Sequence, residues 1–170
     1  MMKASCLTHG HPRSQLACAF YAELVSMLLN GVGFRDALEQ TQRIYRPLIE
    51  NHYPSEADRF ERVLSPGLAR IKAREISGSG YVIHCLEASL WCCCQTGSYE
   101  EAVLAAVNLG SDTDTTGSVT GGLAALLYGK DAVPDRWVAK LAKHNDVLAL
   151  YERFATACAE HWKECASRPA

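Results

Sequence analysis

Long hydrophobic runs are missing from this chain. A membrane-spanning helix needs ~18 uninterrupted apolar residues, and no segment reaches that length. The most apolar stretch, Tyr81 to Cys94, carries His84 and Glu87 in its middle. Excess charge of either sign is missing too: 17 Lys and Arg stand against 19 Asp and Glu, a formal net charge of −2. With a pI near 6.3, the chain lacks the basic balance (pI above ~9) of nucleic-acid modules, which argues against DNA or RNA as its main partner. The first residues, Met1-Met2-Lys3-Ala4-Ser5-Cys6, hold no apolar signal core. A cytoplasmic location is therefore expected. Strand-type alternation, internal repeats and low-complexity tracts are also absent.

What is present is ordinary globular material. Hydrophobic residues make up 48% of the 170 and charged residues 21%, which excludes disordered, collagen-like and coiled-coil classes. The length fits one domain. Eight cysteines are many, but a chain with this much core needs no disulfide staples. Cys92, Cys93 and Cys94 point ~100° apart on a helix, so they cannot face one metal. Small buried thiols are the expectation.

Period counting predicts helices almost throughout. Leu16, Phe20, Leu24, Met27 and Leu28 form one stripe, with Pro12 at the helix start and Gly31 and Gly33 past its end. Cys18, Tyr21, Ala22, Val25 and Leu29 on the other side predict burial on most sides. A second helix follows Gly33, with Phe34, Ala37, Leu38, Thr41, Ile44, Tyr45, Leu48 and Ile49 inward. Pro54 and Pro66-Gly67 predict two short helices, Glu56 to Leu64 and Leu68 to Ala73. A glycine-rich loop, Ser77-Gly78-Ser79-Gly80, precedes an apolar helix with Val82, Ile83, Leu86, Leu90 and Cys93 inward. Ser98 and Glu101 read as a capping box. Gly117, Gly121 and Ala124 share a face of a small-residue helix from about Thr115 to Tyr128, open to close approach by a neighbour. Short segments from Pro134 to Lys143 and from Asp146 onward complete an all-α single domain of about seven to eight helices.

Five groups of residues carry chemical possibilities. In Gly110-Ser111-Asp112-Thr113-Asp114-Thr115, two carboxylates and a hydroxyl lead into a helix N-terminus. They offer hard oxygen ligands for Mg²⁺, Ca²⁺ or Mn²⁺; equally, one Asp is a helix cap and the other a solvated loop residue. Thr8-His9-Gly10-His11-Pro12-Arg13 could meet phosphate or ribose oxygens, or be an unremarkable terminal loop. Ser77 to Tyr81 could set Tyr81 against a base or ribose, or simply join two helices. Cys158, His161 and Cys165 fall on one helical face as part of a zinc set or as plain packing. Glu87 is a candidate acid or base, or one half of a buried ion pair with a Lys or Arg.

The run Ala106-Val107-Asn108-Leu109-Gly110-Ser111-Asp112-Thr113-Asp114-Thr115-Thr116-Gly117 resembles the ADP-ribosylglycohydrolase family. Thr8 to Arg13, Ser79 to Ala88 and Pro134-Asp135-Arg136-Trp137 resemble it in the same order. The resemblance implies an all-α fold and a metal-dependent hydrolase that removes ADP-ribose from a protein side chain or a small molecule. It implies a dinuclear Mg²⁺ or Mn²⁺ centre, with Asp112, Asp114 and Thr115 as metal ligands. His9, Gly80, Tyr81 and Gly117 fall on the substrate-binding side. It designates no catalytic acid or base in this chain. The family's Gly-Asp-x-x-Gly segment, Thr-Asp-Asp triplet and glycine-rich phosphate loop are not in the sequence, so residues 1–170 resemble the C-terminal half alone, with half of the metal cage missing. The expected partners are ADP-ribose or an ADP-ribosylated substrate, together with a second copy or a complementing N-terminal half that covers exposed core surface. A non-catalytic ADP-ribose-binding remnant and a helical protein-interaction module are the alternative readings.

Overall fold

Capping residues and glycines set the helix ends. In the computed structural model, which describes residues 2–166 and the side chains of residues 3–161, nine α-helices and no strands occur among the described residues. The all-α expectation holds, and the count slightly exceeds it because three of the helices are single four-residue turns.

Helix α1 (Met2–Ser5) leads to α2 (Pro12–Leu29), which has Pro12 at its first position and His11 as cap, the His11 ring accepting from the Arg13 amide at 3.2 Å. Helix α3 (Phe34–His52) begins directly after Gly33. Between α3 and α5 the chain forms Pro54–Glu56, the short α4 (Ala57–Phe60), then Leu68–Arg70 and Ala73–Glu75 as single 3₁₀ turns. The two short helices expected over residues 56–64 and 68–73 are thus replaced mostly by isolated turns. Their ends are bound elsewhere: Gln42 donates to the carbonyls of Val63 (2.9 Å) and Ser65 (3.1 Å).

Helix α5 (Val82–Gln95) is the central element, with ten of its residues buried. Helices α6 (Tyr99–Asn108) and α7 (Thr113–Tyr128) pack beside it. Ser98 caps α6 as expected, accepting from the Glu101 amide (3.2 Å), while the Glu101 carboxylate reaches one residue past the cap to accept from the Gly97 amide (2.9 Å), a shifted form of the capping box. The predicted close approach on α7 is present. A Cβ at Gly117 would touch Val107 of α6 at 3.3 Å, and one at Gly121 would touch the Tyr99 hydroxyl at 3.2 Å. Polar pins cross the same layer, since Thr120 of α7 donates to Ser89 of α5 (3.1 Å), which donates back to the Cys85 carbonyl (2.8 Å).

Two helix faces differ from expectation. On α3, Gln42 turns inward with Ala37, Leu38, Thr41, Tyr45 and Ile49, while Ile44 (46% exposed) and Leu48 lie on the rim. The two carbonyls that Gln42 satisfies explain why a polar residue centres that stripe. On α2, Leu16, Ala17, Phe20 and Leu24 are buried, but Cys18, which lines an open cavity, and Leu29, the last residue of the helix, are exposed.

The chain divides into two compact units, the first ending at Ala132 and the second beginning at Val133. The second holds α8 (Asp135–Val138), shorter than the segment to Lys143 expected from sequence, and α9 (His144–Ala166), which starts two residues before Asp146. No helix among the described residues is long and apolar enough to cross a membrane. The seven described cysteines are all free.

Candidate functional site

The segment Gly110 to Asp112 connects α6 to α7. Gly110 (φ 75°) and Ser111 (φ 61°) both adopt left-handed backbone, which lets the chain reverse within three residues. Asp112 then caps α7, its Oδ1 accepting from the Thr115 amide at 3.4 Å. The capping reading is therefore realised. It leaves Oδ2 free of that role.

The glycine-rich loop lies directly against this turn. The Asp112 amide donates to the Gly78 carbonyl at 2.9 Å, and the Thr116 hydroxyl reaches the same carbonyl at 3.5 Å. A Cβ at Gly80 would collide with Asp112 Oδ2, and one at Gly78 would collide with the Gly110 carbonyl. Both glycines are thus required by close approach, not by backbone angle. Two segments separated by some 30 residues in sequence form one surface.

Thr115 lowers the Asp112 carboxyl pKa most, through its hydroxyl, and neighbouring Asp114 lowers it further; slight desolvation opposes them. Cys85, behind this turn, is pushed the other way: burial raises its pKa first, hydrogen bonding from Ser89 and Thr116 opposes that, and the Asp112 charge adds to the rise. Cys85 stays a thiol beside an ionised Asp112.

A cavity of about 520 Å³ opens alongside, lined by residues that include Thr8, His9, Tyr21, Gly80, Thr115 and Val119. That volume lies within the range of small-molecule sites, ~300–1,000 Å³. No Asp, Glu, Lys or Arg occurs among the described residues lining it. The cavity gathers three of the sequence segments singled out: the one before α2, the glycine-rich loop and the start of α7. Tyr21 seals it, donating to the Val119 carbonyl at 3.1 Å, and burial raises the Tyr21 pKa to about 12.

The other candidates are placed as follows. His9 lines the cavity, with its Nδ1 3.0 Å from the Thr8 hydroxyl. His11 is a helix cap. Arg13 does not point a free guanidinium at a ligand. It is clamped by Glu56, with Nε to Oε2 at 2.5 Å and Nη2 to Oε1 at 3.2 Å, and this pair raises the Arg13 pKa. Tyr81 stands at the rim of the loop with Arg13 over its ring, 5.7 Å from the centroid. Gly117 turns toward Val107 of α6. Glu87, 4% exposed, is paired with Arg62, which also donates to the Glu75 carbonyl at 2.9 Å; it is a structural ion pair. Cys158 is exposed on α9, and the Cys165 side chain lies outside the described residues. No cluster of three or more His, Cys, Asp or Glu poised for a metal occurs among the described residues.

Glu56 and the Ser79–His84 hydrogen bond (2.7 Å) were missed from sequence. Nothing local marks Glu56, whose importance comes from a partner 43 positions away. The five-residue spacing of Ser79 and His84 across a helix start was a visible but weak signal.

The all-α fold is the one the resemblance implies, and comparison with known proteins shows the family. The model of the ADP-ribosylglycohydrolase family matches residues 1–164. The chain belongs to that family. It is 31% identical over 149 residues to ADP-ribosylarginine hydrolase Tri1 of Serratia proteamaculans (strain 568), covering 88% of this chain and 38% of that protein. The Pseudomonas putida (strain GB-1) protein of the same name is 31% identical over 154 residues, with the same coverage. ADP-ribosyl-[dinitrogen reductase] glycohydrolase of Rhodospirillum rubrum is 27% identical over 135 residues, 79% of this chain and 40% of that protein. The chain thus spans about two fifths of the length of these relatives.

Proposed function

We propose that this chain supplies the Asp-x-Asp-Thr side of an ADP-ribosylglycohydrolase site and binds the ADP-ribosyl group of a modified protein side chain or small molecule for hydrolysis. The observation that carries this reading is the closure of Gly78–Gly80 onto Asp112 beside a cavity shared by His9 and Thr115.

The donor set suits a divalent cation. Asp112 and Asp114 are carboxylates, Thr115 adds a hydroxyl, and the Thr115 hydrogen bond lowers the Asp112 carboxyl pKa. A helix N-terminus by itself favours anions; two carboxylates reverse that preference locally. Asp112, Asp114 and Thr115 would hold Mg²⁺ or Mn²⁺. When bound, the cation supplies Lewis-acid activation and orients ribose hydroxyls. Three side chains do not fill an octahedral shell, so waters or carboxylates from a complementing segment would complete it.

The uncharged cavity suits a neutral part of the ligand, a ribose or ring, while a diphosphate stays outside it. Hydrolysis joins a water oxygen to the anomeric carbon as its bond to the acceptor nitrogen or oxygen breaks, and a proton passes to the leaving atom. Here His9, Gly80 and Thr115 line the binding surface, and Gly80 also leaves room for the Asp112 carboxylate against the backbone; no residue is assigned the acid–base role.

The test is calorimetric titration of ADP-ribose into the chain with and without Mg²⁺. The expected result is heat that requires the metal and disappears in Asp112→Ala. Absence of heat in both conditions would remove the reading. A second reading, a self-associating helical module, is favoured by one observation: Val147, Leu150, Tyr151 and Phe154 are all exposed along α9.

A further inference from the structure

We propose that Arg13 and His84 are positioning residues that set Asp112 through the glycine-rich loop. The functional weight of this proposal rests on the reading of Asp112 given above, whereas its geometric part stands alone.

A continuous series of contacts runs from a buried carboxylate to the site. It begins at Glu56, only 6% exposed, which grips Arg13 through two hydrogen bonds. A guanidinium so held has a fixed plane. That plane lies over Tyr81, within the ~6 Å reach of a cation–π contact. Tyr81 meets His84 edge-on, centroids 4.9 Å apart at 82°. The other side of the His84 ring is tied through Nδ1 to the Ser79 hydroxyl at 2.7 Å. Ser79 stands between Gly78, whose carbonyl accepts the Asp112 amide, and Gly80, which abuts the Asp112 carboxylate.

Among the described residues Ser79 has no other hydrogen bond of comparable quality. Its own amide reaches the Ser77 hydroxyl at 3.4 Å. Glycines on both sides leave the backbone with few intrinsic restraints. The loop's position against Asp112 therefore rests on two side chains outside it, Thr116, which reaches the Gly78 carbonyl at 3.5 Å, and His84, which makes the closer contact by holding Ser79 at 2.7 Å. Arg13 acts one step further back, by pinning Tyr81 against His84. In this arrangement Arg13 is not a phosphate ligand, and neither residue touches the reacting atoms.

The deciding measurement is amide hydrogen exchange of Asp112 in the full chain. It reports the bond to Gly78 and needs no ligand. Replacing Arg13 by Ala would strand the buried Glu56 charge, so Arg13→Lys is used, which keeps the charge but not the flat face. We expect protection of the Asp112 amide to fall by about threefold to tenfold in His84→Ala and in Arg13→Lys, as for loss of one hydrogen bond. The amides of Leu123 and Ala124 in the α7 core should be unchanged. His84→Asn, whose amide can meet the Ser79 hydroxyl, should restore protection. The double variant should lose no more than the larger single loss, because both act on one series of contacts.

An unprotected Asp112 amide in the parent chain, parent-like protection in His84→Ala, or a fall matched by Leu123 and Ala124 would each overturn the proposal. Mn²⁺ titration followed by electron paramagnetic resonance adds the functional readout, with weaker binding expected in the two single variants and recovery in His84→Asn. If the parent binds no Mn²⁺, the cation reading fails, while the exchange data still decide the positioning role.

Discussion

Gly80 and Asp112 share a space that only a glycine leaves open. The Asp112 carboxylate fills the position where residue 80 would carry its Cβ, and the amide of the same aspartate holds Gly78. The site is therefore sensitive to one methyl group. Gly80→Ala should displace Asp112 and cost about 1–3 kcal/mol, the usual scale of overpacking. Thermal unfolding together with Mn²⁺ titration checks this. Gly10→Ala, where a Cβ meets nothing within 4 Å, is the control and should behave like the parent.

The Glu87–Arg62 pair gives a stability prediction separate from function. Removing Arg62 leaves a carboxylate buried in α5 without its cation. Arg62 is itself 46% exposed, so solvent screens part of the interaction. Arg62→Ala should then cost about 1–3 kcal/mol in urea unfolding, and Glu87→Gln less. Equal costs for the two would mean that the buried charge is not the cause.

Alkaline pH should weaken the fold through Tyr21. Burial first, then nearby Cys93 and Cys85, raise its pKa from 10.0 to about 12. The folded state therefore prefers the neutral phenol more than the unfolded state does. The associated stability is fully present below pH 10 and is lost as pH climbs from about 10 to about 12. Tyr21→Phe, which forfeits the bond to Val119, should begin less stable by about 0.5–1.5 kcal/mol and show a shallower alkaline decline. A parallel decline in both proteins would assign the effect to other groups.

Thiol reactivity should separate the cysteines by depth. Cys6 and Cys18 are exposed, whereas Cys92 and Cys93 are buried and burial drives both thiols upward, Cys92 to about 12. At pH 8 a disulfide-exchange reagent should modify Cys6 and Cys18 at once, and Cys92 and Cys93 only on unfolding. Cys18 lines the cavity, so ADP-ribose with Mg²⁺ should slow its modification and leave Cys6 unaffected. Mass mapping of the modified sites reads both outcomes.

Most of the local architecture was legible in the residues. Pro12, Gly33, Ser98 and Gly129 mark helix ends by backbone chemistry that acts within a few positions, and all four stand where the structure begins or ends a helix. Gly117 and Gly121 likewise announced a close helix contact. The Asp-x-Asp-Thr run was legible as a loop entering a helix, with capping and metal binding both open.

The segment between Pro54 and Ile76 was the least legible, because its form depends on distant partners such as Gln42 and Glu87 rather than on its own period. The same holds for the site. The sequence alone determined which backbone could turn, where helices start, and that hard oxygen donors cluster at the start of α7. Only the tertiary structure decided that Gly78 and Gly80 close on Asp112, that Arg13 pairs with Glu56 over the Tyr81 ring, and that Glu87 is an ion-pair partner. Caps and turns are local bonds, readable from neighbours in the chain. Ion pairs, close approaches and cavities need two segments brought together, and their identity exists only once the helices have packed.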